Sequence, residues 1–183
     1  GQLLAGAFVS AVVATVIGHE FWGPIAGLFA AMIAGVLVAF VLAAFSIKYF
    51  VDQVIVGVVL NVLVVGLTSF LFSKVLAPNA ALLNTPPRFP RLPIPVLGEI
   101  PIIGPVLFRQ TIIVYIMYIA VFVVWFALFK TKWGLRLRSV GEHPQAADTV
   151  GINVTMTRFW NVSLAGAIAG LGGVAARVAR GFH

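Results

Sequence analysis

Cysteine is absent from the 183 residues, which excludes disulfides and thiolate metal sites. Acidic residues are scarce: five Asp and Glu stand against twelve Lys and Arg, and only 9% of the chain is charged. A soluble domain of this length needs a mixed, charged surface, and this composition cannot supply one. The histidines, His19, His143 and His183, are too scattered to pair as metal ligands at helical spacing. No GxxxxGK loop followed by Ser or Thr occurs, so the chain does not hold a nucleotide by that route. The formal net charge of +7 does not mark a nucleic-acid surface either, because no basic stripe interleaved with aromatics accompanies it. There is no charged n-region with a small-residue cleavage site, and so no visible signal peptide. With no initiator methionine and an apolar helix from the first residues, the chain reads as an internal piece of a longer protein.

What is present is apolar. Hydrophobic residues make up 61% and the mean hydropathy is +1.10, which places the chain in a bilayer. Taking roughly 20 apolar residues as a crossing, an all-α polytopic transmembrane bundle of about five spans is expected. The spans fall near residues 3–17, 22–45, 54–76 and 111–129, with a last one beginning near Thr157. Gly27 and Gly35 in the second, and Gly166, Gly170, Gly172 and Gly173 in the last, offer small faces for close helix packing. Residues 77–110 hold eight of the ten prolines, so they are expected to form a stiffened extracytoplasmic loop, with a short extended hairpin around 94–103. Trp125 and Trp133 suit a membrane interface.

The cations set the orientation. Lys130, Lys132, Arg136, Arg138 and Arg158 crowd the polar passage 130–157, whereas Lys74, Arg88, Arg91 and Arg109 are dispersed around the proline-rich loop. The positive-inside bias puts the denser group in the cytoplasm, and alternation brings residues 46–53 to the same side. Within that passage, Pro144 suits the first turn of a helix and Gly151 suits its end. The helix between is barely two turns long and, with Ala146 and Ala147 in it, flat. That is a shape for docking, with a helix lying on lipid headgroups as the plainer alternative.

The spans lack chemistry of the usual coupled kind. No Asp, Glu, Lys or Arg falls in the middle of any of them, which argues against a proton- or voltage-driven carrier. Asn61, Thr68, Ser69 and Ser163 are the intramembrane polar groups, suited to lining a path for a neutral, hydrogen-bonding solute or to bonding between helices. A catalytic site is not expected, since Glu142, His143 and Asp148 sit together only on the short polar helix. A passive channel or a structural membrane protein remains the alternative to a carrier driven by a partner.

The run GLRLRSVGEHPQAADTVGINVTMTRFWNVSLAGAIAGLGG resembles the permease subunits of bacterial ATP-binding cassette importers, in the branched-chain amino acid and simple-sugar permease family. VGEHPQAADTVGI is most similar to the nucleoside-type and simple-sugar members. DQVIVGVVLNVLVVGLTSFLF and the opening GQLLAGAF resemble other stretches of the same subfamily, so the likeness spans Gly1 to about Gly173, after which AARVARGFH departs from the pattern.

The resemblance implies a bacterial plasma-membrane subunit that binds no cofactor itself, with ATP on a partner. It also implies an ATPase subunit, a second permease that is identical or related, and an extracytoplasmic solute-binding protein. On that likeness the coupling helix falls on residues 142–151. Glu142 and His143 would cap or precede it and Pro144 would open it. Ala146 and Ala147 would face the ATPase groove, Asp148 could pair with a cation, and Gly151 would turn the chain back to the membrane. Asn61, with Thr68 and Ser69, is the expected solute-path set.

Overall fold

The computed structural model describes residues 1–18, 22–78 and 112–180; the expected hairpin around 94–103 and nearly all of the proline-rich loop lie outside them. Every regular element among the described residues is helical. The order is α1 (Gln2–Ile17), α2 (Trp22–Ala43), α3 (Gln53–Leu71), α4 (Ile112–Lys130), α5 (Lys132–Glu142), α6 (Pro144–Thr149) and α7 (Val154–Arg180). Helix is the form that satisfies every backbone donor and acceptor within one segment, as hydrocarbon demands. Among the described residues, four stretches are long and apolar enough to cross a membrane: Trp22–Lys48, Gln53–Val75, Ile112–Lys130 and Val154–Val178. The apolar α1 is shorter. α2 and α3 end in wider π-turns, Ala44–Lys48 and Phe72–Leu76. The chain is an all-α, polytopic helical bundle.

Its centre is the packing of α1, α2 and α7. Lipid tails are as apolar as leucine, so close van der Waals fit has to hold these helices together. Small residues provide it. A Cβ added at Gly6 would lie 2.6 Å from the Gly170 carbonyl oxygen, and one at Gly27 would lie 2.8 Å from that of Ser10. Gly35 and Gly166 face each other's carbonyls, Gly170 faces Ala31, and Gly173 faces Leu3. The pairing order, 31 with 170 and 35 with 166, makes α2 and α7 antiparallel. Phe40 and Phe159 add an edge-to-face contact at 4.8 Å between the ring centroids.

At the other end of the bundle, fully buried Ile113 docks the start of α4 against Ala31 and Val174. Arg177 there donates from Nη1 to Ser10 Oγ at 3.3 Å, linking α7 to the buried Ser10 of α1. By contrast α3 buries only Val56 and Val64, and α4 only Ile113. Their remaining faces are open.

Candidate functional site

The polar passage between α4 and α7 is built from consecutive caps. Thr131 Oγ1 accepts from the Gly134 amide at 3.2 Å and starts α5 immediately after α4 ends. A Cβ at Gly134 would run into the Ala127 and Leu128 carbonyls, so this reversal requires glycine. α5 is amphipathic: Gly134 and Val140 are buried, while Lys132, Arg136 and Arg138 are exposed. The Arg138 guanidinium lies 5.2 Å from the Phe129 ring centroid and ties α5 back to α4.

His143 then serves two helices, donating its amide to Ser139 O at 3.0 Å and accepting from the Ala147 amide at 3.0 Å. Pro144 occupies the first turn of α6. That helix closes in a Schellman turn: Gly151 N donates to Asp148 O at 3.0 Å, Ile152 N donates to Ala147 O at 3.1 Å, and Gly151 has φ 84°. Asn153 Oδ1 accepts from Met156 N at 2.9 Å and opens α7, which begins three residues before the expected Thr157.

Glu142 ends α5 and is exposed, as are Ala146 and Asp148 on α6. Ala147 differs. It is 3% exposed and turned inward, on a helix whose packing partners are α5 and α7. The two alanines expected to share an outward face therefore point in different directions, because consecutive helical residues stand about 100° apart. The outward set is Gln145, Ala146, Asp148 and Thr149. The α5 helix was not foreseen as a unit; Trp133, Leu137 and Val140, at spacings of four and three, carry its signal beneath the cations.

Three cavities run in series from this loop into the bundle. A groove of about 500 Å³ lies along Pro144, Gln145, Asp148 and residues 151–155. Val154 and Thr155 also border the next, a crevice of about 570 Å³ that reaches Ser46, Phe50, Gln53, Arg158 and Asn161. Residues 46–53 and 137–158 therefore meet at one end of the bundle, as the alternation of spans requires. Leu42 is common to this crevice and to a third cavity, about 350 Å³, lined by Gln2, Val38, Gly57, Leu60, Asn61 and Ala169 among others. Asn61 lies two turns into α3, about 12 Å from its first residue at 1.5 Å per residue.

Of the other expected path residues, Thr68 shares the α3 face of Gln53, Gly57 and Asn61, and its Oγ1 donates to Val64 O at 2.8 Å. Ser69 faces away and is exposed; neither borders the third cavity. Ser163 is buried and donates to Phe159 O at 3.0 Å.

Residues 1–181 match the family described as the branched-chain amino acid transport system / permease component. The chain belongs to this permease family. The match runs beyond Gly173, where the sequence pattern was expected to depart, so the end of α7 belongs to it as well.

This permease is 42% identical over 176 residues to the guanosine ABC transporter permease protein NupQ of Bacillus subtilis (strain 168), covering 94% of this chain and 55% of that protein. It is 40% identical over 147 residues to the nucleoside ABC transporter permease protein NupC of Lactococcus lactis subsp. cremoris (strain MG1363), covering 80% and 45%. A putative glucose ABC transporter permease, TsgC13 of Haloferax volcanii, is 34% identical over 177 residues, covering 94% and 51%. The permease chain thus spans about half the length of these relatives. No solved structure matches it. With four helices of membrane-crossing length and composition, the permease is a multi-pass membrane protein.

Proposed function

We propose that this chain is the translocation-path portion of an ATP-driven importer for a neutral polar solute such as a nucleoside or a sugar. It binds no nucleotide itself. A separate ATPase subunit docks on α6 at the cytoplasmic face of a bacterial plasma membrane, a second permease subunit completes the pathway, and an extracytoplasmic binding protein delivers the solute. The relatives' names support the solute class, and the scarcity of intramembrane charge supports a neutral one.

The observation that carries the proposal is mechanical. α6 is short, opened by Pro144, closed by the turn at Gly151 and exposed along Gln145, Ala146 and Asp148. Its groove shares Val154 and Thr155 with the crevice that leads inward to Leu42. A push on α6 therefore reaches the wall of the path through α7. For ATP to drive transport, the partner must contact this surface differently in its two states, since only differential contact shifts an equilibrium.

Substituting Ala146→Trp tests the docking role without touching the interior. Membrane insertion should be unchanged and solute uptake by the assembled transporter abolished. Undiminished uptake would remove α6 from the coupling role.

A further inference from the structure

We infer that the junction of α4 and α5 binds an anionic phospholipid, with Arg138 holding the headgroup phosphate and the aromatic strip of Phe122, Trp125 and Phe129 receiving an acyl chain. The inference concerns the bilayer rather than the solute and goes beyond the importer reading. α4 ends at Lys130, Thr131 caps the next helix, and Gly134 seats α5 directly against the Ala127 and Leu128 carbonyls. The cations of α5 are thereby fixed beside the end of a membrane-length helix. Lys130, Lys132, Arg136 and Arg138 are all exposed, and among the described residues none of them is in an ion pair. The single carboxylate of α5, Glu142, stands at its far end. Cations left free at a bilayer edge attract anionic headgroups, and each one within a Debye length adds to the attraction.

Arg138 gives this charge a fixed position. Its guanidinium lies 5.2 Å from the Phe129 ring centroid, and a guanidinium held over a ring keeps the N–H donors at its edge free to grip two phosphate oxygens in parallel. Below it the rings continue: Trp125 lies 6.4 Å from Phe129 and Phe122 lies 6.0 Å from Trp125, centroid to centroid, and all three are exposed. Spacings of three and four put them on one face of α4, reaching about 12 Å below Lys130 at 1.5 Å per residue. That matches the upper part of an acyl chain hanging from a headgroup at Arg138. A second helix fits this strip poorly. Where helices of this bundle meet, Gly35, Gly166 and Gly170 let the backbones touch, whereas three large rings hold a neighbouring backbone away. A free phosphate would use Arg138 and leave the strip unused; a phospholipid uses both. Since α5 packs against α6 and α7, a lipid held at Arg138 also steadies the element behind α6.

The experiment places the intact parent protein, assembled with its partners, in phosphatidylcholine vesicles that carry an equal share of either phosphatidylglycerol or phosphatidylcholine brominated on the acyl chains. Bromine quenches a tryptophan that the chain touches, and the part of the emission lost in Trp125→Phe reports the strip. Brominated phosphatidylglycerol should quench that part at least about twofold more strongly than brominated phosphatidylcholine. Arg138→Gln should make the two lipids equal, and Arg138→Lys, which keeps the charge without the bidentate grip, should fall between. Equal quenching by the two lipids in the wild type would reduce the strip to ordinary lipid contact, and no quenching by either would show that another span or the second permease covers it. Either result overturns the site, as would a preference undiminished in Arg138→Gln. The wild-type comparison decides the matter even where the glutamine variant fails to insert.

Discussion

Gly151 is the residue on which the shape of the loop between α4 and α7 turns. Its φ of 84° lies in the left-handed region, and a Cβ there would meet nothing within 4 Å, so conformation alone demands glycine. Gly151→Ala should cost about 1–2 kcal/mol through that strain. It should loosen the Schellman turn, read as faster amide hydrogen exchange at Gly151 and Ile152; unaltered exchange would show that the turn tolerates the strain. This position was readable in the sequence, because a glycine after a proline-initiated helix signals a C-terminal cap. The direction of Ala147 was not readable. Two adjacent alanines in a six-residue helix carry no hydrophobic contrast, and only the packing of α6 on α5 and α7 decides which one turns inward.

Among the elements, the membrane-length helices were legible from run length, since hydrocarbon permits few other backbone forms, and their bounds shift by only a few residues from the expected ones. α5 was hidden by its own cations. Lys132, Arg136 and Arg138 read as a topological collar, and the apolar stripe of Trp133, Leu137 and Val140, of which only Val140 is buried, is too short to stand out. The glycines of α2 and α7 were expected to pack closely, and the backbone contacts of Gly35, Gly166 and Gly170 bear this out. Gly35→Leu should force α2 from α7 and destabilise the bundle by about 1–3 kcal/mol or more. Gly66→Leu, on the open face of α3, should stay within about 0.5 kcal/mol. Thermal unfolding in detergent distinguishes the two, and equal losses would contradict the α2–α7 contact as the organising one.

At the scale of the whole molecule, three tightly packed helices carry two loosely held ones, α3 and α4. The three cavities lie in succession from α6 past Val154 and Leu42 to Asn61, the second and third bordering α3. The sequence singled out the polar helix and the intramembrane asparagine. It could not show that Leu42 and Val154 connect them, because apolar side chains that border a cavity look the same in sequence as those that face lipid.

The absence of cysteine from this chain makes one experiment direct. A single cysteine replacing the exposed Gln145 in the parent protein is tested for crosslinking to the co-expressed ATPase subunit, with and without ATP. A crosslink formed from the cytoplasmic side, with a yield that changes on adding ATP, is the expected result. A cysteine labelled only from outside, or one that never meets the ATPase, would contradict both the orientation and the coupling role of α6.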